Sequence, residues 1–314
     1  MARSTHLQHP WRHRLAVAVA TLALVLPGAA AAKHFSAWGP AEAEIGINDP
    51  APPPQADGCP IESPNGLELY IASNRAGNVG GSGDPNDIWK AQRATVDSDW
   101  GSPENLGSIV NSAAADFCPT PLNGNRLLFV STRGGPGACG MGDMYFTRNN
   151  PRLGWSAPVN LGCDPVGPNS AGGEFSPSLV ETDQGVLLYF SRPSLAGDQD
   201  IYVSSQRPDG GFGPATPVSE LNTTAADQMP NVSRDGLEIV FSSTRGGGFG
   251  GQDVYTANRS STTDAWSNVA NVGSNVNTGG NETRASLSGD GERLHFGRDG
   301  TIFVSIREKV TGRD

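Results

Sequence analysis

The chain has 314 residues, 41 of them Gly and 24 Pro, with only 17% charged residues and a formal net charge of −10. An acidic balance argues against nucleic acid and anionic membrane as partners, because both are bound through basic patches. So much glycine would point to disorder in a random chain, but here it recurs at fixed turn and loop positions and reports β-geometry.

Residues 1–32 read as a secretory signal. Arg3, Arg12 and Arg14 form the basic region, Leu15 to Leu26 the apolar core, and Ala30-Ala31-Ala32 a small-residue cleavage site. Cleavage removes three arginines and no acids, which moves the charge from −10 to −13. No later run approaches membrane-spanning length, so residues 33–314 are expected as one exported domain, periplasmic or secreted, with no membrane insertion. Lys33 to Gln55 carries Trp38-Gly39-Pro40, Ile47-Asn48 and the run Pro52-Pro53-Pro54, which predicts a strand followed by an extended connector.

From Asp57 onward one pattern is copied five times. Acids open the copies at Asp57, Asp116, Glu174, Asp227 and Glu282, at steps of 59, 58, 53 and 55 residues. Turn glycines follow at Gly66, Gly124, Gly185, Gly236 and Gly291, after Asn65, Asn123, Gln184, Asp235 and Asp290. Asn-Gly and Asp-Gly predict type I′ hairpins, with φ > 0 at both central residues. Short runs rich in β-formers follow (LELYIAS, RLLFVS, VLLYFS, LEIVFS, RLHFG), each ending near an arginine: Arg75, Arg133, Arg192, Arg245 and Arg298. In four copies a Gly-rich loop then leads to an acid opening a third strand, at Asp87, Asp143, Asp200 and Asp253. A fourth segment begins at Trp100, Trp155, Phe212 or Trp266 and ends in Asn111, Asn169, Asn222 or Asn277.

Four strands per copy predict an all-β, five-bladed β-propeller, with blades at about 57–111, 116–169, 174–222, 227–277 and 282–308. The fifth copy lacks its fourth strand, and residues 35–48 carry the missing pattern. The N-terminal strand is therefore expected to close the last blade in a 3+1 arrangement, which leaves no open edge and predicts a monomer.

The four cysteines suit an oxidising compartment. Cys59–Cys118 and Cys139–Cys163 are the favoured pairs among three arrangements that sequence alone leaves open. Only His34 and His295 survive signal cleavage, which argues against a histidine-rich zinc site or a Ser-His-Asp triad. GGGFGG from Gly246 resembles a phosphate loop in composition alone. No metal ligand set is assigned. The opening acids, with Arg284 where other blades carry Cys, Ser or Met, are the candidate binding ring at the channel mouth; no cofactor is expected, and a cation such as Ca²⁺ or a basic ligand is what such a ring would accept. Against that stands an architectural reading, in which each acid accepts backbone N–H groups and locks one blade to the next, and Arg284 neutralises the ring. The second acid column is expected to pair with the preceding arginines: Arg75 with Asp87, Arg133 with Asp143, Arg192 with Asp200, and Arg245 with Asp253. The off-repeat acids form no recognisable pair, so no catalytic residue is assigned.

Pro-Asn-Val-Ser-Arg-Asp-Gly at 230–236, Ser-Thr-Arg-Gly-Gly at 131–135 and 243–247, the Asp-Ile/Val-Tyr strand starts and the Trp-x-x-Pro segment at 100–111 resemble the TolB-type, WD-like propeller repeat of exported bacterial proteins. The resemblance covers roughly residues 35–308. It implies a protein-interaction platform of the periplasm or envelope; members that cleave polysaccharides carry histidine metal ligands missing here. The resulting expectation is a non-enzymatic scaffold presenting a propeller face to a protein or glycan of the envelope or exterior. The alternative is a carbohydrate-active, glycoside-hydrolase-like enzyme that uses channel carboxylates, with or without Ca²⁺.

Overall fold

A computed structural model describes residues 35–50, 56–80, 85–194 and 197–310; the predicted signal segment and the Pro52-Pro53-Pro54 connector lie outside them. The strands form five small antiparallel sheets, each following the predicted chain order. The inner strands are Asp57–Glu62, Asp116–Leu122, Phe175–Thr182, Asp227–Val232 and Glu282–Leu287. Each pairs with a second strand, the second with a third, and the third with a short outer strand, making a five-bladed propeller.

Closure runs through the first described residues. Glu42–Ala43 pairs with the third strand of blade 5, Thr301–Ile306, with Glu42 opposite Val304. The Gly39 and Glu44 N–H groups donate to Ile306 and Ile302 oxygens, so the segment beside Trp38 zips onto the last blade as expected. Asn48 then does for blade 5 what four other asparagines do for theirs. Its side chain accepts from the Ile302 N–H (2.7 Å) and donates to the Ile302 oxygen (3.0 Å). Asn111, Asn169, Asn222 and Asn277 bracket Ile88, Met144, Ile201 and Val254 in the same way. A side-chain amide offers one donor and one acceptor side by side, which suits a strand whose edge loses its backbone partner there.

Five apolar clusters fill the spaces between the sheets. One unites Tyr189 and Ile201 of blade 3 with Ile239, Phe241 and Tyr255 of blade 4; another places Trp38 against Leu294 and Phe296. Burial of this kind contributes about 25 cal/mol per Å² of apolar surface and holds the ring together.

The turns differ from expectation. At the turn between the first and second strands, only blade 2 has two successive positive φ values, at Gly124 (75°) and Asn125 (56°). In blades 1, 4 and 5 only the glycine is left-handed; its N–H closes a turn onto the oxygen of Ser63, Ser233 or Ser288. Asn65, Asp235 and Asp290 are there as acceptors, taking the serine hydroxyl at 2.7, 2.6 and 2.5 Å, and not for left-handed backbone.

Candidate functional site

The opening acids each stand at the start of an inner strand, and every one is buried. An arginine of its own blade holds each carboxylate: Arg75–Asp57 at 2.5 Å, Arg133–Asp116 at 2.6 Å, Arg192–Glu174 at 2.9 Å, Arg245–Asp227 at 2.5 Å and Arg298–Glu282 at 2.7 Å. The same carboxylates accept the N–H groups of Asp49, Ser112, Ser170, Thr223 and Thr278, at 2.6, 2.6, 2.9, 2.6 and 3.1 Å. These residues directly follow the asparagine that ends the preceding sheet. The arginines reach the same junction from the other side, donating to the oxygens of Ile47, Val110, Pro168, Leu221 and Val276. Five repeated clamps thus join blade to blade. The acids are saturated by arginines and backbone, and do not form a free ring of charge.

This corrects the expected pairing of Arg75, Arg133, Arg192 and Arg245 with Asp87, Asp143, Asp200 and Asp253. An aromatic of the third strand intervenes. The guanidinium lies over Trp89, Tyr145, Tyr202, Tyr255 or Phe303, 4.4–5.4 Å from the ring centroid, and is turned toward the inner strand. The second acid column accepts from the Gly-rich loop and the outer strand instead. Asp87 takes the Val79 N–H and Asn105, Asp143 the Cys139 N–H and Asn160, and Asp253 the Phe249 N–H and Asn271. Asp200 is partly buried; burial raises its carboxyl above the usual range, with Asp198 and Asp227 adding to the effect.

Two residues further along, the inner strands bulge, and the third residue of each copy has a left-handed backbone: Cys59, Cys118, Ser176, Met229 and Arg284, with φ of 47–57°. Cys59 and Cys118 are joined there, and Cys139 is joined to Cys163. Arg284 is 1% exposed and crosses the axis. It donates to the Pro230 oxygen (3.2 Å), the Pro177 oxygen (3.1 Å) and the Thr120 hydroxyl (3.1 Å), in blades 4, 3 and 2. Among the described residues no carboxylate pairs with it, and its Nε has no partner. Burial drives its pKa down to about 9, which leaves it cationic at neutral pH. Arg284 therefore does not neutralise the acid ring, whose members have arginines of their own.

Glu174 differs from an ordinary surface carboxylate. Burial pushes it up to about 7, against the opposing pull of Ser170 and Arg192. Phe175, which follows it, lies with its ring centroid 6.0 Å from that of Phe117, and both rings are partly buried. Sequence reasoning missed this pair. The available signal was that both follow an opening acid where other blades carry Gly58, Gln228 and Thr283. His295 is buried with Nε2 3.1 Å from Glu44, a packing position within blade 5. Among the described residues no group of three or more His, Cys, Asp or Glu is placed to hold a metal ion, and the carboxylates Ca²⁺ would need are taken by guanidinium groups.

No protein-family model matches the chain, and no curated protein matches it. Solved structures do. The catalytic domain of the GH62 alpha-L-arabinofuranosidase of Coprinopsis cinerea matches at TM-score 0.55 and 13% identity, over 86% of this chain and 96% of that one. The alpha-L-arabinofuranosidase of Lactobacillus brevis matches at TM-score 0.51 and 11% identity, over 82% and 91%. A putative TolB from Agrobacterium tumefaciens, at 0.45 and 17% over 77% and 70%, falls too low to carry an argument. At these identities the likeness establishes the five-bladed propeller alone. The expectation of a non-enzymatic scaffold is corrected toward its carbohydrate-active alternative, because the two neighbours named here above 0.5 are alpha-L-arabinofuranosidases.

Proposed function

We propose that the protein is an exported carbohydrate-active enzyme of the glycoside hydrolase type. The observation that carries the reading is Glu174, the buried opening acid of blade 3, whose carboxyl is pushed up to about 7. A general acid that protonates a glycosidic oxygen must hold its proton near the working pH, and burial is how a carboxyl achieves this. Phe175 and Phe117 supply apolar faces of the sort a sugar ring packs against. The acidic composition suits a neutral glycan, and two disulfides suit an exported protein. The propeller folds of arabinofuranosidases span nearly the same length. The TolB-type motifs fit the same reading as frame markers, since Ser-Thr-Arg-Gly-Gly contains the clamp arginines Arg133 and Arg245.

In this reading Glu174 donates the proton to the leaving oxygen as water adds to the anomeric carbon. The Ser170 hydroxyl and Arg192 occupy the Glu174 carboxyl, so substrate entry requires the segment 170–173 to move aside. The test is release of aglycone from 4-nitrophenyl α-L-arabinofuranoside and β-xyloside, and of reducing ends from arabinan and xylan. Turnover should fall on the alkaline side as pH rises through about 7, and Glu174→Gln should reduce it by roughly 100-fold or more with the circular dichroism unchanged. If no substrate in that set is cleaved, or if Glu174→Gln keeps full activity, the reading is wrong.

A further inference from the structure

The far ends of the inner strands hold a second candidate site. The five inner strands finish around a pit on the axis with a volume of about 280 Å³, lined from all five blades. That is close to the lower bound of about 300 Å³ for small-ligand clefts, which leaves room for one sugar residue. The clamps and Glu174 belong to the opposite strand ends and take no part in it.

The pit offers hydrogen-bond donors with little to receive them. Asn231 accepts the Leu287 N–H through Oδ1 at 2.9 Å, which assigns its amide orientation and leaves Nδ2 as a donor. The Ser178 hydroxyl accepts the Val232 N–H at 2.9 Å and keeps its own proton to give. Arg234 is exposed on the rim and makes no ion pair among the described residues.

The charge balance has the same sense. Glu62 lines the pit but is held by Arg93 and Arg293, each at 2.9 Å; Glu181, on the rim, is exposed and lies 3.4 Å from Arg126. Thr120 lines the inner wall and receives Arg284, whose positive charge meets no carboxylate among the described residues. Of the charges at the pit, the carboxylates are paired with arginines, while Arg234 and Arg284 meet no carboxylate among the described residues. Leu179, Val180 and Leu287 supply an apolar wall for the C–H face of a ring.

We propose that this pit binds a carboxylate-bearing sugar, a hexuronate residue. The carboxylate lies toward Arg234, Asn231 and Ser178 within the field of Arg284, and the ring packs on the Leu179–Leu287 wall. The probes are D-galacturonate and D-glucuronate, titrated by calorimetry against the full chain at low ionic strength, with galactose and acetate as controls. Neither uronate has a glycosidic bond, so the outcome is independent of whether the chain hydrolyses glycans. Uronates should bind saturably and at least about tenfold more tightly than either control, because a charge-assisted contact and a sugar face are both needed. Arg234→Ala, at an exposed position that does not threaten folding, should weaken them about fivefold or more, as should Ser178→Ala. Equal binding of galactose, equal binding of acetate, no saturable uronate binding, or an affinity unmoved by Arg234→Ala would each overturn the assignment.

Discussion

The first and third positions of the five copies face the same architectural problem and treat it differently. At the first, Asp57, Asp116, Glu174, Asp227 and Glu282 repeat one chemistry, each with an arginine and a neighbouring N–H. At the third, five backbones share one left-handed conformation, yet the side chains are Cys, Cys, Ser, Met and Arg. The ring therefore needs the same clamp at every junction but only a common bend at its waist. Side chains released from the clamp could diverge into a disulfide and a guanidinium that crosses the axis.

The comparison breaks most sharply at a clamp. Asp227→Ala leaves Arg245, the Thr223 N–H and the Ser243 hydroxyl without their acceptor, and should cost about 3–5 kcal/mol in urea unfolding, the penalty of breaking a buried pair. A loss below about 1 kcal/mol would place the pair among ornamental surface contacts. At the waist, the Cys59→Ser/Cys118→Ser double variant opens a loop of sequence separation 59. It should lower stability by about 4 kcal/mol on the chain-entropy estimate, against about 3 kcal/mol for the Cys139–Cys163 pair.

A gentler test uses pH. Glu174 has its folded-state pKa raised from 4.5 to about 7. The stability this contributes is full below the ordinary carboxylate range and is lost as pH rises through about 7. Unfolding midpoints should fall by at most about 3 kcal/mol equivalent over that window, and Glu174→Gln should flatten the slope. The smallest effect is expected from the asparagine brackets. Asn222→Ala strips a strand N–H and C=O of their partner and should cost about 1–3 kcal/mol. Asn48→Ala should cost a similar amount but, being at the ring closure, should also speed amide exchange at Ile302 selectively. Equal exchange in the two variants would show that closure is no weaker than the other junctions.

Particular residues show where sequence reading stopped. The displaced pattern from Trp38 to Asn48 was legible because a repeat with one missing strand can be completed only from the other end of the chain. The columns of acids and arginines were legible as columns, but their partners were not. Arg75 lies nearer in sequence to Asp87 than to Asp57, and only the stacking on Trp89 turns it to the inner strand. Arg284 was visible as an exception, while its reach to Pro230, Pro177 and Thr120 depends on three other blades. The Phe117–Phe175 pair shows in the sequence only as two aromatics each following an opening acid, and the polar pit left no periodic signature, since each is assembled from blades a full repeat or more apart.

By itself, then, the amino-acid order determined five sheets, their strand count and the closing segment. Alternation, turn chemistry and repeat length act along the chain and can be read along it. Which arginine meets which acid, which carboxyl is buried enough to keep its proton near neutrality, and which end of the axis is rich in donors were decided only when the sheets packed. Those properties come from through-space distance and desolvation, and neither quantity is written locally in a strand.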